Sequence, residues 1–358
     1  MSHPAADAAD AADAADAADA HPTPAGEQAA FPAWVVRAGE GRRTAAALEL
    51  VPLTFLEDRG TVVRVQFSSL NYKDALALHG RPGVVRRTPL IAGIDLTGEV
   101  VVSDDPALAP GTLVTLDGAG LGEDHHGGLA ALANVASDGL VAVPAVFTAQ
   151  QAAAIGTAGL TAALAIDALE DHGLVPGAGP VLVTGAGGGS GGIAIALLAA
   201  AGHEVVAATG RPQQAERLLG LGASSILDRA ELEEPGRPLQ RQRWAGAVDA
   251  AGGQVLASIL SSLREGGAVA AFGLAAGTDL PASVLPFILR GVSLLGIDSV
   301  RVGIAARRRA WERLARDLDP ALLDASTRVV PLANAKDEAA ALLEGRGTGR
   351  VVVRVSGG

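Results

Sequence analysis

The sequence predicts an α/β protein in which a doubly wound parallel sheet is joined to a β-rich unit. Three observations predict it. From about Ala149 onward, short apolar β segments alternate with helical segments, the pattern of βαβ units and a parallel sheet. Between Phe31 and about Val143, β-branched segments are separated by Gly and Pro turns, which suggests a barrel-like or sandwich-like unit. A glycine-rich run, Val181–Ala194, joins an apolar strand to a helix. A length of 358 residues suits about two domains.

Composition narrows the function classes. The chain has no cysteine, which removes disulfides, cysteine-ligated zinc, iron–sulfur clusters and a thiol nucleophile. A net charge of −11 disfavours a broad nucleic-acid surface. No apolar stretch of roughly 18 residues stands out as a membrane span, and no basic-then-apolar leader opens the chain. A cytoplasmic protein acting on small molecules, with no nucleic-acid or membrane partner, is the expectation.

Residues 1–30 form an Ala/Asp-rich segment with Asp7, Asp10, Asp13, Asp16 and Asp19 at every third position. That period walks around a helix and builds no apolar face, so a disordered, solvated tail is expected. Strands are expected at Ala33–Arg37, Gly60–Ser68, Gly93–Val102 and Thr112–Leu116, and a long helix over Thr148–Glu170. The α/β texture then predicts strands at Pro180–Thr184, Glu204–Ala208, Ser225–Leu227, Ala247–Asp249 and Ala268–Phe272. Helices are expected at Ile193–Ala201, Pro212–Leu221 and Gln254–Leu263. Val292–Ile297 is a candidate last strand, Ala305–Leu318 an amphipathic helix, and Arg350–Val355 a final strand returning to the first unit. The implied domains are 31–150, 151–298 and a return segment 299–358.

The glycine run has the context of a dinucleotide-binding loop: glycines for a tight turn and close pyrophosphate approach, then a helix N-terminus offering N–H groups. Two registers fit, Gly187/Gly189/Gly192 or Ala186/Gly188/Gly191. Ser190 adds a hydroxyl. At the end of the next strand, Ala208-Thr209-Gly210-Arg211 lacks the acid that would bind a ribose hydroxyl, and Arg211 offers a fork suited to a 2′-phosphate. NADPH is therefore the expected cofactor.

Several further segments carry a family resemblance: Phe67-Ser-Ser-Leu-Asn-Tyr-Lys-Asp-Ala75, Ala92-Gly-Ile-Asp-Leu-Thr-Gly98, Gly122-Glu-Asp-His-His-Gly-Gly-Leu129 and Ile155-Gly-Thr-Ala-Gly-Leu-Thr-Ala162. Trp244-Ala-Gly-Ala-Val-Asp249, Leu285-Pro-Phe-Ile-Leu-Arg290 and Gly296-Ile-Asp-Ser299 follow in order. Together they resemble the zinc-independent medium-chain dehydrogenase/reductases, in the acrylyl-CoA reductase branch of the quinone-oxidoreductase-like proteins. The resemblance runs from about residue 33 onward. The Asp-rich tail has no counterpart, and Ser190 replaces the usual valine.

The resemblance implies a GroES-like domain, a Rossmann domain, a homodimer formed by edge strands such as Val292–Ile297, and NADPH-dependent reduction of a 2-enoyl-CoA. It also implies site residues. Tyr72 contacts cofactor and substrate and is the catalytic candidate, although Asn71 and Asp74 also read simply as a helix cap. Gly187, Gly188, Gly189 and Ser190 hold the pyrophosphate. Thr209, Gly210, Arg211 and Arg229 hold the adenosine phosphate. Leu274, Ile288 and Ser299 lie by the nicotinamide, with core packing the plain alternative for Leu274 and Ile288. Arg350 belongs to a C-terminal Gly-Arg pair beside the cofactor. His125 and His126 are expected to line a loop near the cleft rather than bind metal. Rival readings are an NADPH:quinone or alkenal oxidoreductase and a non-catalytic NADPH-binding protein.

Overall fold

The computed structural model describes residues 30–356, apart from Glu40 and Arg42. The expected tail, residues 1–30, lies outside the described residues except for Ala30. The first unit contains β1 (Ala30–Ala38), β2 (Thr44–Pro52), β3 (Thr61–Ser69), α1 (Tyr72–Leu78), β4 (Leu90–Ile91), β5 (Asp95–Ser103), β6 (Leu113–Asp117), β7 (Leu132–Val135) and β8 (Val141–Ala142). After α2 (Ala149–Asp171), the α/β unit runs through β9 (Val181–Val183), α3 (Gly189–Ala200), β10 (Val205–Thr209), α4 (Ala215–Gly220), β11 (Ser225–Asp228) and α5 (Ala230–Glu233). It continues through β12 (Trp244–Asp249), α6 (Gly253–Ser262), β13 (Leu263–Ala271), α7 (Leu285–Arg290) and β14 (Ser293–Gly296). The chain then returns through α8 (Ile304–Asp317), α9 (Pro320–Ser326), β15 (Thr327–Pro331), α10 (Ala335–Leu343) and β16 (Arg350–Arg354).

The first unit holds two sheets. One has the order β2-β1-β4 and the other β15-β16-β3-β5-β6-β8, with β7 also on β3. Alternation in β3 does what the sequence predicts: Val63 and Val65 are buried and Arg64 is exposed. The α/β unit is one parallel sheet in the order β11-β10-β9-β12-β13-β14. Strand order reverses on either side of β9, and a ligand crevice forms at the carboxyl ends of strands at such a switch point. The final strand does return: β16 pairs antiparallel with β3, as Val352↔Ser69 through Arg354↔Phe67.

Two helix expectations need correction. The helix α2 is broken at Gly156 (φ 45°, ψ −157°). A Cβ there would lie 2.6 Å from Asp95 Oδ2 and 2.9 Å from Ser69 Oγ, so the break lets the helix touch the first unit. Pro212–Leu221 opens as a 3₁₀ turn, Pro212–Gln214, before α4. At 23 residues with mean hydropathy 1.6, α2 also has the length and composition of a membrane span, but it is mostly buried within the protein.

Candidate active site

A cleft of about 670 Å³ opens between the units. Its walls are Leu70, Asn71 and Tyr72 from the first unit, the loop Gly185–Gly191, the β10 end Ala208–Arg211 with Arg229, and Gly349–Val351 of the return segment.

Packing decides the register of the glycine loop. A Cβ on Gly191 would come within 2.3 Å of the Gly185 carbonyl oxygen, whereas one on Gly192 would come no nearer than an ordinary 3.4 Å to any neighbour, Leu221 Cδ1. Gly191 is therefore the position where helix and loop touch, and Ala186/Gly188/Gly191 is the structural register. The first α3 bond at the cap runs from Gly192 N–H to the Gly188 carbonyl, so the N–H groups just before it have no helical acceptor and crown the cleft. A cradle this close, which side chains would fill, fits a pyrophosphate.

Asp249, at the end of β12, holds the switch point together. Its Oδ1 accepts Thr184 Oγ1 at 2.6 Å and its Oδ2 accepts Gly252 N–H at 2.8 Å. Burial pushes its carboxyl above the ordinary range, and these hydrogen bonds oppose the rise.

At the adenosine end, Thr209 Oγ1 accepts the Arg211 N–H at 3.1 Å, which closes the turn that presents Arg211. Arg211 Nη1 donates to the Gly347 carbonyl at 2.9 Å. The Arg229 guanidinium lies over Gly210, where a Cβ would be 3.2 Å from its Cζ, and it pairs with Glu233 at 2.7 Å. The site thus presents two guanidiniums and no acid in its lining at the β10 end.

At the other end α1 begins. The Asn71 N–H donates to Asp74 Oδ2 at 2.8 Å, as a helix cap should, and Tyr72 stands 58% exposed in the cleft wall. Cap and cleft wall are one structure. Behind them, Asp95 accepts Ser69 Oγ (2.5 Å) and Asn71 Nδ2 (2.7 Å) on one oxygen, and Thr157 N–H (3.0 Å) and Thr157 Oγ1 (2.5 Å) on the other. Thr157 is the first residue past the Gly156 break, so a carboxylate from β5 caps the restarted helix. Burial, then the charge of Asp95, pushes Asp74 up to about 7, and three N–H donors from Asn71 and Ile94 hold it back. Burial likewise pushes Asp117 up to about 8.

Some expected residues sit elsewhere. Leu274 and Ile288 are outside the cleft lining, and at 62% and 70% exposure they are not core residues either. Ser299 is buried and accepts Thr161 Oγ1 at 2.9 Å, also outside the lining. Arg350 reaches the cleft wall, but its donors serve the protein: Ala154 carbonyl (2.6 Å), Asn71 Oδ1 (3.2 Å) and Ser69 Oγ (2.7 Å). It ties β16, β3 and α2 together beneath Gly189. The histidines do not reach the cleft lining. His126 Nδ1 accepts the Ile91 N–H at 3.1 Å, and His125 Nδ1 lies 2.6 Å from Asp124. Among the described residues no group of three His, Asp or Glu is placed to hold a metal. Reading the sequence assigned no role to Asp95, Asp249, Gln214 or Arg217. The signal for the two acids is a carboxylate at the end of a strand, Asp95 opening β5 and Asp249 closing β12.

Comparison with known proteins agrees with this architecture. The chain matches the model of the alcohol dehydrogenase GroES-like domain over residues 57–153 and that of the zinc-binding dehydrogenases over residues 189–316. It is 50% identical to "Acrylyl-CoA reductase AcuI" of Ruegeria pomeroyi, covering 88% of this chain and 96% of the relative. It is 45% identical to "Putative quinone oxidoreductase YhfP" of Bacillus subtilis, covering 83% and 90%. The crystal structure of the Salmonella enterica yhdH oxidoreductase in complex with NADP superposes with a TM-score of 0.88 at 44% identity, covering 91% of this chain and 100% of that one. The chain therefore belongs to the medium-chain dehydrogenase/reductase family, within the acrylyl-CoA reductase branch of its quinone-oxidoreductase-like members.

Proposed function

We propose that the chain reduces the C2–C3 double bond of a short 2-enoyl-CoA with NADPH, acrylyl-CoA to propanoyl-CoA being the prototype. The observation that carries this reading is 50% identity to an acrylyl-CoA reductase across 96% of that enzyme. The cleft supports it with a glycine cradle at one end and Arg211 beside Arg229 at the β10 end.

When bound, NADPH supplies the hydride that goes to C3 of the enoyl group. The chain's residues do the rest. Gly187, Gly188, Gly189 and Ser190 hold the pyrophosphate at the α3 N-terminus. Thr209, Gly210 and Arg211 take the adenosine phosphate, with Arg229 above them. Tyr72 packs against nicotinamide and substrate, and its hydroxyl donates to the thioester oxygen as negative charge builds there. A proton from solvent or a side chain completes C2. Arg350 and Asp95 hold Asn71, and hence the start of α1, in place. The absence of cysteine, a common ligand of a catalytic zinc, supports reading this chemistry as zinc-independent. A homodimer forms along β14, the edge strand of the parallel sheet, where Val284, Ile288, Leu289 and Leu294 stand exposed. The enzyme is cytoplasmic, in keeping with a soluble nicotinamide reductant.

The second reading is quinone reduction, favoured by 45% identity to the Bacillus YhfP protein. Competitive NADPH oxidation with acrylyl-CoA, crotonyl-CoA and a quinone separates the two. Faster turnover of acrylyl-CoA is expected. Quinone turnover alone overturns the reading, and NADPH binding without oxidation of any of the three marks a non-catalytic protein.

A further inference from the structure

One guanidinium near the cofactor cleft is not accounted for by phosphate reading. Arg217, on α4, donates from Nη2 to the Gly187 carbonyl at 3.0 Å. Gln214, three residues earlier, is buried against the same glycine, where a Cβ would come within 2.1 Å of its side-chain amide. Arg211 stands just before the 3₁₀ turn, Gln214 closes that turn and Arg217 is on α4, so one short stretch of chain carries all three to the back of the loop. The first bears on the cleft and the other two bear on the loop.

Stability alone does not explain Arg217. Its Nε is buried without a hydrogen-bond partner in the described structure, and burial, with the neighbouring charge of Arg211, depresses its basicity. A buried donor left unpaired beside a like charge is an unfavourable arrangement that a neutral apolar side chain would avoid. What the guanidinium gains is a fixed Gly187 carbonyl. With that carbonyl held back toward α4, the peptide planes that follow are held too, and their N–H groups keep facing the cleft.

We infer that Arg217 is a positioning residue for the dinucleotide, setting the pyrophosphate loop from behind, and that it acts equally on NADPH and NADH. The inference rests on the reading of the cleft as a nicotinamide-dinucleotide site but not on the identity of the acyl substrate. Its test is therefore cofactor binding without acyl substrate. Dissociation constants for NADPH and NADH are measured by fluorescence titration on wild type, Arg217→Leu, Arg217→Gln and Arg211→Ala. Losing one charge-assisted hydrogen bond to the loop should weaken both cofactors by about tenfold in Arg217→Leu. Arg217→Gln, which keeps an N–H for the Gly187 carbonyl, should recover most of that loss. Arg211→Ala should weaken NADPH alone. A selective loss of NADPH in Arg217→Leu overturns the inference and makes Arg217 a second phosphate reader. Unchanged affinity for both cofactors, or a glutamine variant as weak as the leucine one, also overturns it. Wild type binding neither cofactor would instead overturn the reading of the cleft itself. If Arg217→Leu does not fold, Arg217→Gln against Arg217→Met gives the same comparison of a donor with none.

Discussion

Replacing Asp95 by Asn should cost the protein about 3 kcal/mol, and the sum follows from the donors around it. Both carboxylate oxygens face only donors, and two of these are held N–H groups: the backbone Thr157 N–H on Oδ1, and Asn71 Nδ2 on Oδ2, whose amide is kept from turning by the Arg350 Nη1 bond to its Oδ1. The amide NH₂ must replace one oxygen or the other. Either choice sets it against a fixed N–H and leaves a buried donor unpaired, at about 1–3 kcal/mol. The bonds that survive lose their charge assistance, roughly half their strength. The Ser69 and Thr157 hydroxyls can rotate to accept, which limits the total. The assay is urea unfolding followed by far-UV circular dichroism, with Thr157→Val as a graded control that keeps the N–H and removes only the hydroxyl. Thr157→Val should lose about 1 kcal/mol. An Asp95→Asn protein within 0.5 kcal/mol of wild type would refute the reasoning, since it would mean that the donors find other acceptors.

Tyr72→Phe should lower kcat with acrylyl-CoA while leaving NADPH affinity within about twofold, because the ring remains and only the hydroxyl is lost; steady-state kinetics with both substrates varied checks this. Arg211→Ala should raise KM for NADPH about tenfold and leave NADH kinetics unchanged, since only NADPH carries the 2′-phosphate. Stability should fall as pH rises. Asp74 and Asp117 move from an ordinary 3.8 to about 7 and about 8 on folding, so the folded state holds protons that the unfolded chain releases. Their contribution is fully present below the unfolded value and is lost as pH climbs through about 8, visible as a falling melting temperature that Asp74→Asn should flatten. Ile288→Asp, on the exposed face beside β14, should convert the proposed dimer to monomer by size-exclusion chromatography with light scattering.

Local chemistry was legible in the sequence. The strand Val181–Val183 followed by glycines, the alternation of β3, and an arginine in place of an acid after β10 all follow from residue type and spacing. What was not legible depends on contacts far along the chain. The choice between Gly191 and Gly192 turns on which one meets the Gly185 carbonyl. The break in α2 is invisible because Gly156 stands in an alanine-rich helical stretch, and only the approach of Asp95 and Ser69 requires it. Leu274 and Ile288 look like core or cofactor wall, because exposed apolar residues in a loop or on a helix read the same as buried ones. Arg217 carries no signal in the sequence, because a lone arginine on a helix ordinarily reads as a solvated side chain.

The pairing of β16 with β3 also bears on the order in which the protein is made. β3 ends at Ser69 and its partner Val352 is synthesised tens of seconds later at roughly 5–20 residues per second. Until then the first unit has an open strand edge, and Ser69 and Asn71 lack the Arg350 guanidinium. The strands of the parallel sheet are all present by Gly296, although the core packed against it still lacks Trp311, Leu314 and Val352. One late strand therefore completes both units: β16 brings Val352 to the core beneath the parallel sheet and Arg350 to the wall carrying Tyr72.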